Sequence, residues 1–238
     1  MITSWNGRPP SASAGGGFID RLAGSAAEDL ARAAQHLRRS LPGPHDHDAW
    51  IFDFDGTLVD SEGLNVRTTQ AVLRGCGIDV DDAWLTAVTF TTATEFRARL
   101  RNDHGMNLPW SDERILREAR SYRMAHLHEL RPIVPTNDLA RAARAHGLPV
   151  AIASANLSEA IAAGLAAVGL NAVFAVVVGQ DHVERTKPAP DAFLHAARLL
   201  GVKASRCLVF ENTAPGVQAA LAARMTVVDI RPWESTCT

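Results

Sequence analysis

Cysteine is scarce in this chain. There are three, Cys76, Cys207 and Cys237, odd in number and widely spread. That excludes a disulfide framework and reads as reduced thiols of a cytoplasmic protein. Neither sign of charge is in excess. With 24 Lys and Arg against 26 Asp and Glu the net charge is −2, so there is no electrostatic case for nucleic acid or an anionic membrane as a partner. Aromatic residues make up 6% and no basic run interleaves with them, which also counts against a nucleic-acid platform. No apolar run approaches the ~20 residues of a membrane-spanning helix. The first residues lack the charged and apolar segments of a secretory signal. What is left, 238 residues at 47% hydrophobic, is a globular chain long enough for one full domain with an insertion.

What the chain does have is concentrated between Trp50 and Glu62. A short apolar run, Trp50-Ile51-Phe52, delivers Asp53 and Asp55 into a turn at Gly56. Alternate residues of a strand face the same way, so the two carboxylates can meet at one spot as the strand ends. Two carboxylates sharing a site can divide the labour, one ionised as nucleophile and one protonated as acid. Such a centre needs a metal to hold it together.

The rest of the chain falls into blocks. Residues 1–17 are rich in Ser, Gly, Pro and Ala and read as a tail. Residues 18–41 have helical spacing, with Phe18, Leu22, Ala26, Leu30, Ala34, Leu37 and Leu41 on one stripe. This amphipathic helix needs a surface, either on its own domain or on a second copy of the chain. Pro42-Gly43-Pro44 ends it. The run His45-Asp46-His47-Asp48 resembles metal ligands but feeds the first strand at the end away from the aspartates, so it reads as a polar linker. From 61 to 133 only helical patterns appear, at about 61–76, 81–89, 93–104 and 111–129. Pro132 and Pro135 punctuate the chain. Helices at 137–146, 157–168, from about 190, and at 215–223 then alternate with apolar strands at 149–153, 172–178, 206–210 and 225–230. This order predicts an α/β fold with a doubly wound parallel sheet. Residues 49–60 and 134–238 form its core, 61–133 an inserted helical domain, and 1–48 an N-terminal extension.

Ligands of such sheets bind beyond the carboxyl ends of the strands. Polar residues sit at those ends here. One strand ends in Ser154-Ala155-Asn156, a phosphate seat of hydroxyl and backbone N–H groups, or simply a helix N-cap. Another ends in Glu211-Asn212-Thr213 with Gly216 beyond, an acid and an amide oxygen suited to a hard cation. Lys187 stands in Lys-Pro-Ala-Pro-Asp before a helix, aimed at an anion.

Taken in order, these motifs resemble the haloacid dehalogenase-like (HAD) hydrolase superfamily, in its subfamily with a helical (C1) cap after the first motif. The likeness covers about residues 49–230 and is to sugar-phosphate phosphatases and β-phosphoglucomutase-like proteins. It implies a Mg2+-dependent phosphatase acting on a small phosphorylated metabolite through an aspartyl-phosphate. Asp53 would be the nucleophile and Asp55 the acid–base. Asp53, the carbonyl of Asp55, Glu211 and Asn212 would hold Mg2+. Gly56, Thr57, Ser154, Ala155, Asn156 and Lys187 would bind the phosphoryl group. The inserted helices would be the cap that closes over the leaving group and sets substrate choice.

Two departures stand out. Asn212 occupies a place where the family usually has aspartate, and Arg224 one where it commonly has glycine. In the cap, the mutases carry a histidine and a Gly-x-x-Arg where this chain has Asn65 and Thr89-Phe90-Thr91-Thr92, which favours hydrolysis over mutation. Asn65 and Thr92 suggest hydrogen bonding to a sugar or polyol, with Arg67, Arg97 and Arg99 near enough to replace the missing cation. The alternatives are a phosphomutase, and a non-catalytic phosphometabolite-binding or scaffold protein tethered through the 18–41 helix.

Overall fold

The computed structural model describes residues 47–88 and 93–231, together with Ile19, Leu22, Glu28 and residues 31–35. Most of the amphipathic 18–41 segment therefore lies outside the described residues. Those that are described are helical, and Ile19, Leu22, Ala33 and Ala34 are buried.

The chain divides into two compact units, one formed by residues up to Asp60 and from Arg131 onward, the other by Ser61–Leu130. The first unit is built on five parallel strands: β1 (Ala49–Phe52), β4 (Val150–Ala153), β5 (Val176–Val178), β6 (Cys207–Glu211) and β7 (Thr226–Asp229), in the order β5-β4-β1-β6-β7. Two further strands, β2 (Val59–Asp60) and β3 (Arg131–Pro132), pair antiparallel. That pairing draws Arg131 and Pro132, placed with the helical insertion on sequence grounds, into the sheet unit.

Burial on both faces explains the continuous apolar strands. One face of the sheet presents Ala49, Ile51, Ala151, Ala153, Val176, Val178, Cys207 and Val209. It packs on the small-residue stripes of α7 (Asp191–Leu200) and α8 (Ala214–Ala222), through Ala192, Phe193, Ala196, Ala197, Ala219 and Ala220. Trp50, Phe52 and Phe210 alternate to the other face. There the Phe52 and Phe210 rings stack with centroids 4.5 Å apart, and Phe174 meets Phe52 edge-on. The helices α5 (Val134–Ala145) and α6 (Ser158–Ala167) complete the crossovers between strands. The third sheet strand is shorter than the 172–178 expected from hydropathy, because the Val173 N–H closes a turn on the Leu170 carbonyl and delays extension to Val176.

The second unit holds α1 (Glu62–Gly75), α2 (Asp82–Val88), α3 (Ala93–His104) and α4 (Asp112–Ala125), with a short turn at Leu127–Glu129. Its core is Leu73, Ile78, Leu85 and Leu100, flanked by Trp84, Phe96 and Leu108. Ser111 caps α4 by accepting from the Arg114 N–H. Gly75 is required where Trp110 crosses, since a Cβ there would come within 2.4 Å of the indole. Among the described residues no helix is long and apolar enough to cross a membrane.

Candidate active site

All five parallel strands run the same way, so their carboxyl ends share one edge of the sheet. Phe52 pairs with Ile152 on one side and Phe210 on the other, which sets Asp53, the residue after β1, beside Glu211 at the end of β6. The Asp53 N–H donates to the Phe210 carbonyl at 3.0 Å, extending the ladder by one step. By strand alternation Asp53 continues the face of Ala49 and Ile51. Lys187 reaches that face from the segment just before α7.

The centre is a buried ion cluster. Lys187 Nζ lies 2.6 Å from Asp53 Oδ1 and 2.7 Å from Glu211 Oε2. All three side chains are almost wholly withdrawn from solvent. Burial works against the Lys187 charge, but Asp53 and Glu211 outweigh it and hold the ammonium above its usual range. Asp53 is pushed up to about 7, by burial first and by the Glu211 charge next, against the pull of Lys187. Ionising Asp53 would give the cluster more negative charge than its one cation neutralises, which, with burial, is why its carboxyl holds the proton so high.

Glu211 was expected to ligate a metal. Its oxygens are engaged otherwise: Oε1 accepts from the Asn212 N–H, the Thr213 N–H and the Thr213 hydroxyl at 2.8–2.9 Å, and Oε2 accepts from Lys187. It acts here as the counter-charge that fixes Lys187 and the start of α8. Gly216 makes room for it, because a Cβ there would lie 1.9 Å from Oε2. Among the described residues no three His, Cys, Asp or Glu side chains are grouped as a metal site. The donors left for a cation are the Asp53 carboxylate, the Asp55 carbonyl and the Asn212 amide oxygen. All are hard oxygens of the kind Mg2+ prefers, and the excess negative charge of an ionised Asp53 suits it.

The aspartate turn also differs in detail from expectation. Gly56 and Thr57 were expected to turn their N–H groups toward phosphate. Instead Gly56 N–H donates to the Val59 carbonyl at 2.8 Å and Thr57 N–H to the Phe54 carbonyl at 3.3 Å, so both close the turn itself. Gly56 is needed for its φ of 76° and because a Cβ would lie 1.9 Å from the Asn212 amide nitrogen. The Thr57 hydroxyl donates to Asn212 Oδ1 at 3.4 Å, orienting that amide. From behind, Thr136 and Asn137 at the start of α5 donate to the Thr57 and Leu58 carbonyls at 2.5 and 2.8 Å. These two buried polar residues were not singled out in the sequence. Polar residues early in an otherwise apolar, buried helix were the available signal.

After β4, Ser154 is buried and does not cap α6, whose N-cap is Leu157. Its oxygen accepts from the Asn156 N–H at 3.1 Å, which leaves the hydroxyl proton to give. Among the described residues no acceptor takes the Ala155 N–H. Asn156 Nδ2 donates to Asp55 Oδ2 at 3.0 Å. The loop after β5 braces this turn. Gln180 N–H donates to the Asn156 carbonyl, and Asp181 accepts from both the N–H and the hydroxyl of Ser158. The His47-Asp48 run meets none of this, since Asp48 pairs bidentately with Arg206 at the opposite, amino end of β6.

Within the helical unit, Asn65 Oδ1 accepts from Arg123 and its Nδ2 contacts the Ser61 hydroxyl at 3.4 Å. Arg67 pairs with Glu129, Arg97 with Asp112 and Arg99 with Asp103, so the three arginines suggested as spare cations already have acidic partners. Arg123 was not foreseen, and 58 residues of separation from Asn65 give local sequence reading no handle on it. Thr92, with Thr89-Phe90-Thr91, lies outside the described residues.

Known proteins with this arrangement agree on the family. The family profile described as haloacid dehalogenase-like hydrolase matches residues 50–230. Fructose-1-phosphate phosphatase YqaB of Escherichia coli (strain K12) is 33% identical over 183 residues, covering 76% of this chain and 95% of that protein. A HAD family hydrolase from Deinococcus radiodurans R1, solved with bound phosphate and sodium, superposes with a TM-score of 0.63 at 30% identity, covering 77% of this chain and 80% of that one. CbbY from Rhodobacter sphaeroides, solved as a mutant in complex with xylulose-(1,5)bisphosphate, superposes with a TM-score of 0.66 at 25% identity, covering 77% and 86%. With four strand-end motifs in order on this sheet and a family match across most of its length, the chain belongs to the haloacid dehalogenase-like hydrolases.

Proposed function

We propose that this phosphoric monoester hydrolase removes phosphate from a small sugar or polyol phosphate, with Mg2+ as cofactor and a phosphorylated Asp53 as intermediate. The observation that carries the reading is the buried triad of Asp53, Lys187 and Glu211, which holds a carboxylate nucleophile beside a fixed cation. Lys187 spends two of its three ammonium protons on the two carboxylates and keeps one for a phosphoryl oxygen. The Ser154 hydroxyl and the Ala155 N–H supply two more donors.

In the first step an Asp53 oxygen bonds to phosphorus as the bond to the leaving oxygen breaks. Asp55 gives its proton to that oxygen, and the alcohol departs. In the second, Asp55, now a carboxylate, takes a proton from water. The water oxygen bonds to phosphorus, the Asp53–phosphorus bond breaks, and phosphate leaves with Asp53 restored. One group serves both steps because the second reverses the proton flow of the first. Mg2+, held by Asp53, the Asp55 carbonyl and Asn212, would offset the repulsion between two anions and the charge that develops in the transition state.

The substrate class draws on the relatives, one named for fructose 1-phosphate and one crystallised with a bisphosphorylated sugar. The test is a panel of phosphate monoesters assayed with Mg2+, wild type against Asp53→Asn. Sugar and polyol phosphates should be turned over best, and the variant should lose more than about 10³-fold. Preference for an aryl or strongly acidic leaving group would overturn the substrate class. An undiminished Asp53→Asn variant would overturn the nucleophile.

A further inference from the structure

Asn156 forms hydrogen bonds in four directions, and together they fix which way its amide points. Its side-chain oxygen accepts from the Leu157 N–H at 2.8 Å. A backbone N–H can only donate, so the group facing Leu157 must be the oxygen and the group facing Asp55 must be the NH2. Its own N–H is held by Ser154 Oγ and its carbonyl by the Gln180 N–H. The exit of β5 closes tightly over the same turn. A Cβ on Gly179 would come within 2.5 Å of the Ser158 nitrogen and 2.8 Å of the Asn156 carbonyl oxygen. Neither the backbone nor the amide of Asn156 can rotate without breaking several of these contacts.

An amide NH2 has no lone pair to offer a carboxylic proton. The Asp55 oxygen it meets, Oδ2, is therefore an acceptor in both protonation states of Asp55. The carbonyl oxygen of a carboxylic acid accepts better than its hydroxyl oxygen, so this contact favours Oδ2 as the carbonyl and places the proton on the other oxygen, Oδ1. We infer that Asn156 is a positioning residue for the acid–base step: its side chain pins Asp55 by Oδ2 and so assigns proton delivery and removal to Oδ1. This extends the role expected from the sequence, where Asn156 was part of a phosphate seat. It rests on the hydrolase mechanism above, in which Asp55 protonates the leaving oxygen.

The two roles differ in what they do to different leaving groups. A sugar or alkyl alcohol must be protonated as it leaves. A 4-nitrophenolate leaves without a proton. The parameter kcat/KM reports only the steps up to departure of the alcohol, so it isolates the acid role from the later attack of water. Wild type, Asn156→Ala and Asn156→Asp are compared on the best sugar or polyol phosphate and on 4-nitrophenyl phosphate, with inorganic phosphate inhibition measured alongside. Asn156→Asp keeps the shape and the acceptor for Leu157 but presents an acceptor to Asp55, so it tests the contact even if the alanine variant folds poorly. General acid catalysis contributes roughly 10²–10⁴-fold. Both variants should therefore lose at least about tenfold more kcat/KM on the sugar phosphate than on the aryl phosphate, with Asn156→Asp the worse. Equal losses on both substrates, or a matching rise in the inhibition constant for phosphate, would overturn the positioning role and return Asn156 to the phosphate seat. A wild type that hydrolyses neither substrate would overturn the hydrolase reading itself.

Discussion

Asp53 sits where its charge is unfavourable until a second cation arrives. Its carboxyl is raised from 3.8 to about 7 by burial and by Glu211. Between those values the folded protein keeps a proton that the unfolded chain has lost. The stability that this group contributes is thus full below about pH 4 and is lost as pH rises through about 7. A bound cation favours the ionised form and restores it. Mg2+ should therefore raise the melting temperature more at about pH 8 than at about pH 5. The metal-free Asp53→Asn protein should be more stable than wild type at the higher pH, by on the order of 1–3 kcal/mol. Thermal melts across pH with and without Mg2+ check both, and a pH-independent Mg2+ shift would contradict them. Asn212 enters the same balance. Replacing its neutral amide by Asn212→Asp adds a charged oxygen ligand, and the Mg2+ concentration for half-maximal activity should fall several-fold while activity persists. A dead variant would contradict this. At this scale the sequence was generous: Asp53, Asp55, Ser154 and Lys187 were legible because each ends or follows an apolar strand. The engagement of Glu211 by Lys187 and Thr213 was not, since both of its oxygens are accounted for only in three dimensions.

The elements show why some predictions landed and others slipped. Each strand of the sheet is a short apolar run, and each following helix starts near a polar or proline signal, so alternation alone exposes the α/β order. The two-residue strands β2 and β3 carry no such pattern and are defined only by their pairing across an insertion. The turn at 170–173 likewise reads as apolar strand until its hydrogen bond is seen. Arg224, flagged as a departure from glycine, adopts a left-handed φ of 57° after α8 and is exposed. A side chain in that region costs about 1–2 kcal/mol. Glycine removes that cost but adds about 0.5–1 kcal/mol of backbone entropy. Arg224→Gly should then stabilise the protein by about 0.5–1 kcal/mol in denaturant titration without altering turnover, and a destabilised variant would show that Arg224 makes contacts beyond its backbone role.

For the whole molecule, function follows from one topological fact. Parallel strands bring residues far apart in sequence to one edge: Asp53, Ser154 and Glu211 converge because β4 and β6 both pair with β1, and Lys187 joins them from the segment between β5 and α7. That convergence could be read from the order of motifs. The polar partners that stiffen it act through hydrogen bonds across the fold: Asn156 was legible as a strand-end residue but not its hold on Asp55, and Thr136, Asn137 and Asp181 show their partners only in three dimensions. The central claim is that phosphate passes through a covalent bond to Asp53. The direct measurement is an acid quench of the enzyme during turnover, followed by mass spectrometry of its peptides. Wild type should carry one phosphoryl group on the peptide containing Asp53, at Asp53 itself, and Asp53→Asn should carry none and turn over no substrate. Steady turnover with no phosphoryl group at Asp53 at any quench time, alongside an Asp53→Asn variant of wild-type rate, would contradict it.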